Sequence, residues 1–99
     1  MQRIEIDEDA RADIDGIYDH IGHKLKSPQA ADRIIDELDE AFRRHASQPG
    51  IGEARPDLGR DIRVFTVASY VAIYRPLDDG IRVLRVVVGN RDFRRLFRG

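Results

Sequence analysis

DIRVFTVASYVAIYRPLDDGIRVLRVVV, residues 61–88, is the part of the chain from which its architecture is read. β-Branched and aromatic residues dominate it, recur with a period near two and are interrupted by short turn clusters, the pattern of strands that bury one face. Residues 61–67 form one strand, joined through Ala68-Ser69 to a second over residues 70–75, and Asp78-Asp79-Gly80 turns the chain into a third over residues 81–88. Three short strands in such quick succession make an antiparallel meander. In the last of them Leu84, Val86 and Val88 read as the cleaner apolar face, whereas Val83, Arg85 and Val87 carry a charge in the middle of theirs.

Toward the N-terminus lies an irregular stretch, QPGIGEARPDLG over residues 48–59, whose proline and glycine content marks a loop. Before it come two helices. Ser27-Pro28 supplies a capping hydroxyl and a proline at the first helical position, where its missing N–H is not needed. Ala31, Ile34, Ile35, Leu38, Ala41, Phe42 and His45 then fall on one face, and Pro49-Gly50 ends the run. The earlier helix begins after Asp7, an N-cap carboxylate, with Glu8 and Asp9 in the turn where the helix dipole favours negative charge. Its apolar face reads Ile14, Ile17, Tyr18, Ile21 and Leu25. Gly16 within it costs about 1 kcal/mol relative to alanine, for close packing or by simple tolerance. At the start, residues 2–6 alternate Ile4 and Ile6 with polar neighbours and form a short half-buried strand.

The expected fold is α+β over residues 1–99 as a single domain. An N-terminal strand leads into an antiparallel two-helix hairpin, which packs on a mainly antiparallel sheet ending in the three-strand meander. Beyond the sheet, VVVGNRDFRRLF, residues 86–97, passes through Gly-Asn into arginines alternating with Phe93, Leu96 and Phe97, spaced as one short C-terminal helical turn. This tail reads in three ways: a catalytic apparatus for phosphodiesters, a grip on another macromolecule, or a solvated end pinned by apolar anchors. The sheet face away from the helices keeps enough apolar side chains to be covered by this tail or reserved for a partner.

The net charge of -1 conceals an asymmetry. Residues 1–50 hold 12 acidic and 7 basic side chains, and residues 51–99 hold 6 and 10, every basic one in the second half being arginine. Arginine suits planar pairing with carboxylate or phosphate, although GC-rich coding alone also enriches it. Without cysteine there is no disulfide, thiolate metal site or cysteine nucleophile. With no basic leader and no long apolar run, a cytoplasmic protein without membrane contact is expected.

Chemistry is sparse. No Ser-His-Asp order, glycine-rich phosphate loop or HExxH appears. His20 and His23, with Asp19 nearby, are a weak metal candidate with no further residues to orient the imidazoles, so neither metal nor cofactor is expected. The acidic clusters at 7–9, 13, 15 and 36–40 fit caps and solvated helix faces better than an acid–base pair. Metal-free phosphodiester cleavage needs a base, cations on the developing charge and an acid for the leaving oxygen. Arg63, Arg75, Arg82, Arg85 and Arg91 offer cations; Tyr70 and Tyr74 are the nearby hydroxyls, in an apolar setting that also reads as core packing with a polar tip.

In element order the chain resembles the RelE/ParE superfamily of bacterial type II toxins, over nearly its whole length. The ParE-like branch is suggested by Ala12-Asp13-Ile14 with Ile17-Tyr18 and Ile21, by Pro28 with Ala30-Ala31, and by Pro49 and Gly52 with Arg55-Pro56-Asp57-Leu58. Ile62-Arg63, Tyr70 to Arg75, Arg85-Val86, Gly89-Asn90-Arg91-Asp92 and Leu96-Phe97 continue the match. The RelE-like branch cleaves messenger RNA on the ribosome with basic strand residues, an arginine after the last strand and a terminal tyrosine. Carried over, that machinery would comprise Arg63 and Arg91, with Tyr74 as replacement acid, but Phe65, Val71 and Phe97 stand where two cations and the tyrosine are expected.

The resemblance therefore implies a ParE-like toxin that inhibits DNA gyrase by binding, more an inhibitor than an enzyme. Arg91, Asp92, Phe93, Arg94, Arg95, Phe97 and Arg98 would contact the target. It also implies a cognate antitoxin, a disordered segment that folds as it wraps the toxin into a hetero-oligomeric complex, with antitoxin contacts unassigned. Sequence-specific DNA binding by the toxin alone is not expected. Ribosome-dependent RNA cleavage and a non-toxic peptide-binding relative are the alternatives.

Overall fold

The computed structural model describes residues 2–89. Strand β1 (Arg3–Ile6) leads into helix α1 (Glu8–Asp19), which continues as a π-helical turn over His20–Lys24. Helix α2 (Pro28–Ser47) returns antiparallel, and a 3-10 turn (Pro49–Ile51) precedes β2 (Glu53–Ala54), β3 (Arg63–Val67), β4 (Tyr70–Leu77) and β5 (Gly80–Val88). The sheet order is β1-β5-β4-β3-β2, with β1 parallel to β5 and the other pairs antiparallel. The α+β class, hairpin and meander are as the sequence predicts. The two-residue strand β2 inside the 48–59 stretch is an addition, too short to leave a periodic signature.

Helices α1 and α2 cover one sheet face. Their core joins Ala10, Ile17, Ile21, Ala31, Leu38, Ala41 and Phe42 to Ala72, Tyr74, Ile81, Val83 and Val86 of the sheet. The other face carries a second cluster, in which Val64, Val71, Ile73 and Val87 are covered by Leu58 and Ile62 from the segment between β2 and β3. Among the described residues, that segment packs on the far face.

Three local expectations change. Opposite β4, Tyr74 pairs with Val83 and Ile73 with Arg85, so Leu84 is an extra residue in a β-bulge. The bulge reverses the alternation: Ile81, Val83 and Val86 face the helices, Leu84 packs against the far cluster, and Val88 is 45% exposed. The predicted Leu84, Val86 and Val88 face is therefore wrong in phase. In α1 the π turn, with Leu25 N–H donating to His20 O, rotates the end of the helix, leaving Leu25 60% exposed while Ile21 stays buried. Asp7 and Ser27 occupy the N-cap positions, but neither makes a side-chain cap bond. Asp7 N–H instead extends the β1 ladder to Val83 O, and the Asp7 carboxylate faces Arg82 Nε at 3.6 Å.

Two glycines find their explanations. At Gly80 a Cβ would lie 1.7 Å from Arg3 O, so glycine is required by the close approach of β1 more than by the turn. At Gly16 a Cβ would meet nothing within 4 Å, so packing does not demand glycine there.

The sheet depends on a polar closure. Strand β1 pairs with β5 only as far as Val83, so the rest of β5 has no strand on that side. Val86 N–H, which would otherwise be orphaned, donates to Asp13 Oδ2 of α1 at 2.9 Å. The same carboxylate accepts from Arg85 Nε at 2.7 Å and Nη2 at 3.0 Å, a bidentate pair with side chains 16% and 24% exposed. Replacing Asp13 by alanine leaves both a backbone donor and a partly buried cation unpaired, and is expected to cost about 2–4 kcal/mol. The exposed Asp39–Arg43 pair is the control: Asp39→Ala changes stability by less than about 0.5 kcal/mol. Urea unfolding of the two variants tests the contrast.

His45 closes the α2 stripe inside the core, its Nδ1–H donating to Ala41 O at 2.8 Å and its ring stacked on Phe65 with centroids 3.9 Å apart. Burial holds its pKa below the ordinary imidazole value; the Ala41 carbonyl opposes this and Arg44 adds to it. The unfolded chain therefore takes up the proton first. Stability is expected to be level above the unfolded value, about 6.5, and to fall as pH drops below it toward the depressed folded value. Urea titrations between pH 7.5 and 5.5 should show the slope in the native sequence and a flatter one in His45→Phe.

Candidate functional site

The sheet arginines divide by what holds them. Arg82 donates from Nε and Nη2 to Glu5 Oε1 at 3.0 and 2.6 Å, across the parallel β1–β5 pair. Arg3 joins this cluster, reaching Glu5 Oε2 and Asp79 Oδ1, each at 3.1 Å. Arg85 is tied to Asp13. On the loop, Arg55 grips Asp57 through two bonds of 2.9 and 2.8 Å. Arg75, exposed on β4 directly across from Arg82, has no hydrogen bond or ion pair among the described residues. Arg63 is half-buried, and its Nη1 donates to Gly52 O at 2.6 Å.

Tyr74 has no exposed surface. Its hydroxyl donates to Pro49 O at 2.7 Å and accepts from Gly52 N–H at 3.0 Å, so both functions of the phenol are spent on the 49–52 turn. Burial, opposed by the Gly52 N–H and the Arg63 charge, raises its pKa above the ordinary phenol value. A Cβ on Gly52 would sit 2.4 Å from that hydroxyl, which leaves glycine the residue that fits. Phe65 and Val71, at the positions where the resemblance puts cations in a nuclease, belong to opposite layers: Phe65 packs with His45, Phe42 and Tyr74, and Val71 is buried in the far cluster.

Arg63 and Tyr74 are thus brought together as cross-strand partners, with the 49–52 turn between their polar ends. Arg91, Asp92, Phe93, Arg94, Arg95, Phe97 and Arg98 lie outside the described residues. His23 Nε2 and Asp19 Oδ1 are 3.8 Å apart on exposed side chains, and the described residues hold no group of three or more histidine, aspartate or glutamate side chains arranged for a metal. No helix among them is long and apolar enough to cross a membrane.

Among the described residues, recesses open on both sides of the sheet and between the helices. A groove of about 410 Å³ runs between α1 and the end of β5, along Asp13, Gly16, Ile17 and His20 on one side and residues 86–88 on the other. A second, of about 380 Å³, is lined by Arg63 and Pro76 and by residues of the 50–62 segment. A third, of about 150 Å³, lies between the helices over Ile14, Ile35, Leu38 and Phe42, rimmed by Arg11, Asp15 and Asp39. Sequence reasoning missed Asp13, because it reads as one of several acids on a solvated helix face. The available signal was its place one turn into the helix after a strand too short to cover β5.

Comparison with known proteins agrees with this architecture. No curated protein matches the chain. Among solved structures it is similar to a chain from the chromosomal ParDE toxin–antitoxin system of P. aeruginosa, with 26% sequence identity, a TM-score of 0.72, and coverage of 89% of this chain and 96% of that one. Residues 4–93 match the family described as the ParE toxin of the type II toxin-antitoxin system parDE, and the chain belongs to that family.

Proposed function

We propose that the protein acts by binding: it inhibits DNA gyrase in the cytoplasm and is neutralised by a cognate antitoxin. The observation that carries this reading is the fate of the groups a ribonuclease would need. The Tyr74 hydroxyl is buried between two backbone groups, and Arg85 is neutralised by Asp13. General acid catalysis contributes about 10²–10⁴-fold and requires a proton donor within reach of substrate, a role the enclosed phenol is poorly placed to fill. Membership of the ParE family supports the same direction.

Target contact is assigned to the tail, through Arg91, Arg94, Arg95 and Arg98 as charge-assisted donors and Phe93 or Phe97 as an apolar anchor, with Asp92 beside them. For the antitoxin, the recess between the helices offers an apolar floor with a mixed-charge rim, suited to an amphipathic segment that folds on contact. Such a complex is hetero-oligomeric.

Expression of the chain alone in bacteria should arrest growth and induce the DNA-damage response without new 5′ ends on translated messages. Purified protein should inhibit gyrase supercoiling. Arg94→Glu with Arg95→Glu should raise the half-inhibitory concentration by at least about 30-fold, the loss of one binding hot spot. Full gyrase activity at saturating protein, or codon-specific cleavage of messages, would refute the proposal.

A further inference from the structure

We propose that Arg63 and the recess around it form a binding site for a single carboxylate, an aspartate or glutamate side chain of a protein partner. Arg63 lines a cavity of about 380 Å³ together with Gly50, Ala54, Pro56, Gly59, Ile62 and Pro76. Other sheet arginines, Arg3, Arg82 and Arg85, are matched to carboxylates. Half-buried Arg63 has a carbonyl in that place, Gly52 O at 2.6 Å, and no carboxylate within ion-pair distance among the described residues.

The cation is also held in position. Gly52 is fixed by its N–H bond to Tyr74 Oη, and that hydroxyl is bonded in turn to Pro49 O. Tyr74 itself is wholly buried and pairs across the ladder with Arg63. One guanidinium N–H is spent on this anchor, and those that remain include donors with the spacing of a carboxylate's two oxygens. Little reorganisation is then needed on binding.

The surroundings select a monoanion. Asp61 lines the same recess, and Glu53 lies on the neighbouring strand, next to Ala54, which pairs with Arg63. A nucleic-acid backbone needs a track of cations, and a phosphate dianion would meet these carboxylates. A carboxylate on a short aliphatic stem matches one cation between apolar walls. The inference rests on the reading of the chain as one half of a toxin–antitoxin pair, but its test uses neither antitoxin nor gyrase, so its failure leaves that reading standing.

The test is an NMR titration of the isotopically labelled full chain at constant ionic strength. The probes are N-acetyl-glutamate amide, its neutral analogue N-acetyl-glutamine amide, and inorganic phosphate. Saturable shifts of Arg63 Nε–H and the Gly59 amide are expected with the glutamate probe, half-saturating at roughly 10–100 mM, as a lone charge-assisted pair allows. The glutamine probe should give none. Arg63→Gln should abolish the response; Arg63→Lys, which keeps charge but loses the fork, should weaken it at least threefold. Absence of saturation, equal shifts with glutamine, phosphate binding tenfold tighter, or a response unchanged in Arg63→Lys would each overturn the assignment.

Discussion

Where a strand stops short of its neighbour, the backbone donors beyond it must find other partners or the sheet frays. Here β1 ends at Ile6 while β5 runs on to Val88, and the carboxylate of Asp13 takes the place of the missing strand at Val86. Because Asp13 sits on α1, the bond that completes the sheet also fixes the angle at which the helix crosses it. Ile17 and Ile21 thereby reach the same core as Val83 and Val86. Arg85 completes the arrangement by holding the carboxylate from the other side, and is removed in the process from the stock of free cations.

The bulge at Leu84 belongs to this solution. It lets one strand serve two layers, presenting Ile81, Val83 and Val86 to the helices and Leu84 with Val87 to the loop side. The far layer is sealed by Leu58 and Ile62, and the 49–52 turn is clamped by the Tyr74 hydroxyl. A small chain thus builds two thin hydrophobic layers in place of one thick core, with a buried phenol and a stacked imidazole joining the helix end to the sheet. Apolar residues at the two strand positions where the resemblance would put cations follow from this economy, since Phe65 and Val71 each supply one layer.

The class, hairpin and meander were legible because period and punctuation in the sequence are local signals. Ser27-Pro28, Pro49-Gly50 and Asp78-Asp79-Gly80 mark ends that the structure keeps within a residue or two. Phase was not legible: a single bulge residue overturns a face assignment, and the π turn carries Leu25 off the stripe. Nor was Asp13, whose partners stand 72 and 73 residues away and appear only once the β1–β5 register is known. Of the candidate site, Arg63 and Tyr74 were legible as a cation and a hydroxyl on neighbouring strands, whereas their pairing and the turn between their polar ends were not. The tail contacts belong to residues beyond those described.

The sheet arginines sort into those neutralised in building the fold and those left for other molecules, and Asp13 stands at that division. Amide hydrogen exchange at Val86 tests the closure most directly, because this N–H is at the sheet edge yet assigned a partner. Val86 is expected to exchange only through global unfolding, at the same free energy as the core amides of β4, and Asp13→Ala to shift it to faster local opening. Exchange of Val86 at the rate of an unstructured amide in the native sequence would contradict it.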